Sequence, residues 1–199
     1  MKSLLKRLFK PKKEIIIVSG LPRSGTSMMM KMLDAAGIEP LTDHIRTADD
    51  DNPKGYYEFE RAKKLKEGDA AWLPDAQGKA VKIIGALLVE LPSNYPYRVL
   101  FMRRNMDEIL ASQNQMLVRR GEEQKVDDQV IAQLFQKHIQ QVETWMQKQS
   151  NLRYLDVDYN AMLKDPRPQL DAINQFLGGQ LDVDSMALIV DPDLYRQRK

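Results

Sequence analysis

The chain has 199 residues, 43% of them hydrophobic and 29% charged, with a net charge of +2; this is enough for one full hydrophobic core and short for two. It has no cysteine and two histidines, His44 and His138, which excludes disulfides, thiolate metal sites and a cysteine nucleophile and leaves too few imidazoles for a histidine-rich metal centre. Catalysis then rests on carboxylates, hydroxyls, lysines and arginines, and with no run of about 20 apolar residues nothing in the sequence spans a membrane.

Residues 1–13 carry Lys2, Lys6, Arg7, Lys10, Lys12 and Lys13 and no acid, so the net +2 of the chain leaves the remainder at −4. Leu4, Leu5, Leu8 and Phe9 share one face of a short helix. The segment reads as a basic amphipathic N-terminal extension that either lies on an anionic membrane surface or acidic partner, or stays solvated. Charge interrupts its apolar positions and no small-residue cleavage site follows, unlike a secretory signal. Residues 14–199 read as a single domain of cytoplasmic type.

An apolar run predicts a buried strand over 15–19, and the pattern after it a helix over 26–36 stopped by Gly37. Met28, Met29, Met30, Met32 and Leu33 on that helix suit core filling. Residues 39–80 are irregular, with turn signals at 49–53 and 52–55, and a long irregular insertion in a compact domain is usually functional. Strands are predicted over 81–84, 98–102 and 153–157, and helices over 107–119, 129–149 and 166–177, the last ending at Gly178 and Gly179. In the helix over 129–149, Ile131, Leu134, Phe135, His138, Val142, Trp145 and Met146 form one stripe that should pack on the sheet, with His138 a core residue. Alternating strands and helices imply an α/β three-layer sandwich. Its central sheet is mostly parallel, helices cover both faces, and ligands bind at the strands' carboxyl ends.

The stretch Gly20, Leu21, Pro22, Arg23, Ser24, Gly25, Thr26, Ser27 joins the first strand to the first helix. Gly20 and Gly25 keep the glycine spacing of the triphosphatase loop GxxxxGK[ST], but Thr26 stands where that loop has its lysine. Backbone N–H groups and the helix amino terminus can still converge on an anion, while the group that grips a γ-phosphate is gone. Ser24, Thr26 and Ser27 add hydroxyls, and Arg23 a charge suited to a bridging oxygen as its bond breaks. The strand over 98–102 ends in Arg103 and Arg104, where many triphosphatases place a metal-holding aspartate. Eight residues after Arg104 comes Ser112, so a guanidinium and a hydroxyl can face one oxyanion.

With these residues in view, the segment over 22–27 resembles the 5′-phosphosulfate loop of the PAPS-dependent sulfotransferases, and the segment from Arg104 to Ser112 resembles that family's 3′-phosphate motif. The segments over 155–159 and 173–178 are similar to its late strand and its FLG-type helix end. The resemblance implies a P-loop-type fold, PAPS (3′-phosphoadenosine 5′-phosphosulfate) as donor, PAP as product and no metal requirement. It also implies that Arg23 assists the leaving phosphate oxygen, that Pro22 to Ser27 cradle the phosphosulfate, and that Arg104 with Ser112 clamp the 3′-phosphate. Met106 departs from the family's usual proline, and Ser27 from its second threonine. The C-terminal basic loop of many cytosolic members has no clear match, and Arg196, Arg198 and Lys199 either close over the nucleotide or, as the preferred reading, form a frayed tail.

Transfer of a sulfuryl group by in-line displacement needs a base on the acceptor side. The segment over 52–60 resembles an NPxGYxE pattern of bacterial members and makes Glu58 the first candidate, with Glu60 and His44 behind it. Lys82, in an apolar strand, must find an anionic partner, either the sulfo group or Glu58, unless it snorkels from a strand edge. Tyr56, Tyr57, Phe59 and Trp72 either line an acceptor pocket or form the insertion's core. The expected acceptor is a small molecule, sugar or peptide bearing a hydroxyl or amine. Nucleic acid is not expected, since the chain beyond the tail is mildly acidic. The alternatives are a nucleotide kinase or GTPase, in which Asp156 or Asp158 would hold magnesium, and a noncatalytic PAP- or PAPS-binding module.

Overall fold

The computed structural model describes residues 12–43, 45 and 55–190. Its centre is a sheet of four parallel strands, β1 (Ile15–Gly20), β2 (Ala80–Lys82), β3 (Tyr97–Arg103) and β4 (Leu152–Asp158), in the order β2-β1-β3-β4. The register sets Ile17 beside Val81 and Val99, and Leu100 beside Leu155. The two central strands read as unbroken apolar runs because both their faces are covered: Ile15, Ile17, Val18, Val99, Leu100 and Phe101 are all buried.

Helices α1 (Thr26–Ala35), α2 (Glu60–Lys63), α3 (Met106–Arg119), α4 (Asp128–Gln147), α5 (Tyr159–Lys164), α6 (Pro166–Leu177) and α7 (Val183–Ala187) complete the described fold, with short 3-10 segments over Leu65–Glu67, Leu73–Ala76 and Gly85–Glu90. One layer packs Met29, Met30, Met32 and Leu33 of α1 with Met162, Leu170, Ile173 and Met186 against Val18, Leu100 and Val157. The opposite layer packs Val142 and Met146 of α4 and Trp72 and Leu73 of the insertion against Ile15, Ile17, Val99 and Phe101. The three-layer α/β expectation therefore holds, with the sheet wholly parallel.

Four details differ from the sequence reading. β2 stops at Lys82, and the residues expected to extend it turn instead into Gly85–Glu90. The described residues of the insertion, 55–80 above all, are compact rather than irregular. Trp72 is buried, stacks edge-to-face on Phe59 with ring centroids 5.5 Å apart and donates its indole N–H to the Asp69 carbonyl at 2.9 Å. Two short helices, α5 and α7, follow β4 and α6, each started by an aspartate cap, Asp158 and Asp182. Last, only Val142 and Met146 of the α4 stripe are fully buried, while Leu134 is 59% exposed. A 20-residue helix runs about 30 Å and a seven-residue strand about 23 Å, so the start of α4 overshoots the sheet.

At the amino-terminal boundary, Lys12 donates to the Asn94 carbonyl at 2.7 Å and lies over the Tyr95 ring, and the Lys13 amide donates to Gln77 Oε1 at 3.1 Å. The last two residues of the basic extension thus belong to the folded domain. Residues 1–11 lie outside the described residues, as do the turns over 49–54, His44 and the terminal Arg196, Arg198 and Lys199.

Candidate functional site

The loop after β1 is built to expose main-chain donors. Ser24 returns both its amide and its hydroxyl to the Leu21 carbonyl, at 3.2 and 2.7 Å. Its buried hydroxyl therefore braces the turn rather than adding to the cradle. Gly25 adopts φ 96°, and a Cβ there would collide with the Tyr159 ring, so glycine is demanded by conformation and by space together. It also starts α1 without a side-chain cap, and the helix has no acidic residue in its first turn. By contrast α3, α4 and α6 are capped by Asn105, Asp127 and Asp165. The first amides of α1 thus meet no capping side chain, the arrangement that receives an anion. Thr26 and Ser27 sit on this first turn and Pro22 is exposed on the loop's rim.

Arg23 occupies the left-handed region, φ 69°. Its Nε donates to Ser112 Oγ on α3 at 2.9 Å, and its carbonyl accepts from Arg104 Nη1 at 2.8 Å. Arg104 and Ser112 therefore meet at the loop, joined through Arg23. Arg104 is enclosed: its Nε pairs with Glu108 Oε2 at 3.0 Å, its guanidinium lies 4.6 Å from the centre of the Tyr159 ring, and both ion-pair partners are almost fully buried. Asn160 Nδ2 donates to the other Glu108 oxygen at 2.9 Å. Glu108, Tyr159 and Asn160, none singled out in the sequence, thus hold Arg104 against the loop. The available signal was the glutamate one helical turn after Arg104, at the spacing of an i,i+4 pair.

The second cation arrives from β2. Lys82 donates to the Tyr56 carbonyl, lies 3.4 Å from Ser27 Oγ and pairs with Glu58 Oε1 at 3.7 Å. Snorkelling is not its solution, since its side chain is 11% exposed. Glu58 has a second ammonium, Lys63 Nζ, at 2.8 Å from its Oε2. Glu60 also pairs with Lys63, at 2.6 Å, on the exposed side of the turn. The insertion's aromatics divide. Tyr56 is buried beside Lys82 and Tyr57 turns the other way, donating to Asp34 at 3.3 Å. Phe59 and Trp72 belong to the core rather than to an acceptor pocket.

Of the aspartates that a magnesium-dependent reading would require, Asp156 pairs with Arg103 at 2.8 Å and Asp158 caps α5. His138 is not the core residue that its stripe suggested. Its Nε2 lies 3.2 Å from where a Cβ on Gly85 would stand, a point itself 3.5 Å from the Gly20 carbonyl, which brings the imidazole to the edge of the same loop.

The sulfotransferase family model matches residues 57–183, more than half of the chain and including Glu58, Lys82, Arg104 and Ser112. The chain belongs to the sulfotransferase family. Solved structures agree on the fold. The sulfotransferase domain from the curacin biosynthetic pathway superposes with a TM-score of 0.58 at 16% identity, covering 93% of this chain and 80% of that one. A sulfotransferase from Mycobacterium avium gives 0.57 at 13%, over 100% of this chain and 72% of that one. Retinol dehydratase, solved with retinol and PAP, gives 0.51 at 18%, over 90% and 64%. A comparison with curated proteins finds no match.

Proposed function

We propose that this sulfotransferase moves a sulfuryl group from PAPS to a hydroxyl or amine of an acceptor and releases PAP. The observation that carries the reading is the first turn of α1. It meets no side-chain cap, and the two cations that flank it, Arg23 and Lys82, rise from the loop and from the neighbouring strand end. The PAP complex of retinol dehydratase, a protein of like fold, supports the same ligand.

When bound, PAPS supplies the sulfuryl group and a phosphate as leaving group. The main-chain amides of 25–27 with the Thr26 and Ser27 hydroxyls hold the phosphosulfate, while Pro22 and Ser24 shape the loop. Arg104 and Ser112, which already converge on Arg23, meet the 3′-phosphate. Arg23 neutralises charge on the leaving oxygen, and Lys82 does so on the sulfuryl oxygens. Glu58, held between two ammonium groups, keeps Lys82 aimed at Ser27; accepting a proton would cost it both ion pairs, so it is a positioning carboxylate rather than the base.

The test is a thermal-shift titration with PAP, PAPS, ATP and GTP. PAP should raise the midpoint, with about 2.7 kcal/mol of stabilisation at a hundredfold excess over its Kd, while ATP and GTP with magnesium do little. Stabilisation by a nucleoside triphosphate and none by PAP would overturn the reading.

A further inference from the structure

If Glu58 is committed to its two lysines, the acceptor proton needs another destination. We infer that His138 is that destination: the imidazole of α4, lodged against Gly85 at the end of β2, takes the proton from the acceptor as its oxygen or nitrogen attacks sulfur. This rests on the PAPS reading above and adds a residue that neither the sequence motifs nor the family match distinguishes.

Three observations carry it. First comes position. Gly85 follows Lys82 by three residues, and His138 Nε2 stands 3.2 Å from the site of its missing Cβ, near the Gly20 carbonyl where the loop begins. Any larger residue at 85 would push the imidazole away, and Gly85 lies outside the left-handed backbone region, so conformation does not require a glycine there. Second, among the described residues His138 has no hydrogen-bond or ion-pair partner, an unusual state for a partly buried imidazole. Ser19, whose buried hydroxyl also has no partner, lies on the same sheet face as Ile15 and Ile17, the face that α4 covers. Third, the imidazole is partly open to solvent, and its neighbours Ile84, just before Gly85, and Leu134, one turn earlier on α4, are 50% and 59% exposed.

Burial lowers the imidazole's pKa and is its one resolved cause, so the ring is neutral at pH 7 and its free nitrogen lone pair can accept a proton. Charged groups on the surrounding segments are Lys137 and Glu143 of α4, the latter held by Arg103, Lys82 of β2, Glu58 beside it, Glu90 at the end of the turn, Arg23 of the loop, Arg119 of α3 and Asp156 of β4. In the transfer step the acceptor O–H bond breaks toward Nε2 as the acceptor oxygen bonds to sulfur. The bond from sulfur to the phosphate oxygen breaks with its electron pair staying on PAP. The imidazolium then returns its proton to water, to which it is partly open.

The test measures PAP formed from PAPS with phenol, which keeps its O–H proton at neutral pH, and with water as acceptor, alongside PAP affinity by calorimetry. For His138→Gln the turnover number should fall about 100-fold or more, with KM for PAPS and Kd for PAP changed less than about twofold, the split expected of a group acting only in the transition state. His138→Gly should regain rate with added imidazole, and Gly85→Ala should lose rate while still binding PAP. Retention of rate in His138→Gln, failure of imidazole to restore His138→Gly, or a wild type that binds PAP but turns over with neither acceptor would overturn the assignment. Loss of PAP binding by the wild type would instead sink the donor reading.

Discussion

Gly25 joins two demands at one Cα, a left-handed backbone and room for the Tyr159 ring. Gly25→Ala should therefore cost about 1–3 kcal/mol in denaturant unfolding and remove most PAP binding, read by calorimetry. Glu108→Ala should be worse for stability, at about 3–5 kcal/mol, because it strands the Arg104 charge in a nearly dry site. The pH response follows from His138. Its folded pKa lies below 6.5, so the unfolded chain binds this proton more readily. Stability from this group is present above 6.5 and lost as pH falls through the lowered value, and turnover that depends on the neutral ring falls over the same window. His138→Gln should erase that acid limb of the kcat/KM profile. Arg23, Lys82 and the Arg104–Ser112 pair stand out in the sequence by charge and position, but their roles, like that of Glu58, come from the resemblance to the family's motifs. The orientation of each is not legible there, since Ser24 turning inward and Glu58 gripping two lysines depend on contacts between distant segments.

At the level of elements, the strongly periodic or unbroken apolar stretches were readable: α1, α3, α6 and the strands β1, β3 and β4 lie within a residue or two of where pattern places them. The pattern overextends β2 because the apolar pair Ile83 and Ile84 continues the run, while the backbone turns into the 3-10 segment that starts at Gly85. α4 misled in another way. Its hydrophobic stripe is longer than the sheet beneath it, so periodicity reported a core contact for Leu134 and His138 where only the later turns have one. The insertion reads as irregular in sequence because its core is made by isolated residues, Trp72 above all, without a repeat. Trp72→Ala should cost about 3–5 kcal/mol in urea unfolding, comparable to removing a residue from the sheet itself.

For the whole molecule, the parallel strands place the loop after β1, Lys82 at the end of β2 and Arg104 just past β3 at their carboxyl ends, which is where a fold legible from alternation directs the search for a site. Donor binding and global stability are accordingly linked: the wild type should be protected by PAP in proportion to its concentration, and Arg104→Ala should lose that protection along with part of its basal stability. One feature of the insertion bears on how such a protein diversifies. The same stretch that delivers Glu58 and the Tyr56 carbonyl to Lys82 also plugs Trp72 into the interior. Exchanging it for a relative's loop would remove part of the foundations with the roof. Latitude for new substrates lies instead just before the Gly85–Glu90 turn and at the overshooting start of α4, where exposed side chains such as Ile84, Val130 and Leu134 can be rewritten while the interior stays intact.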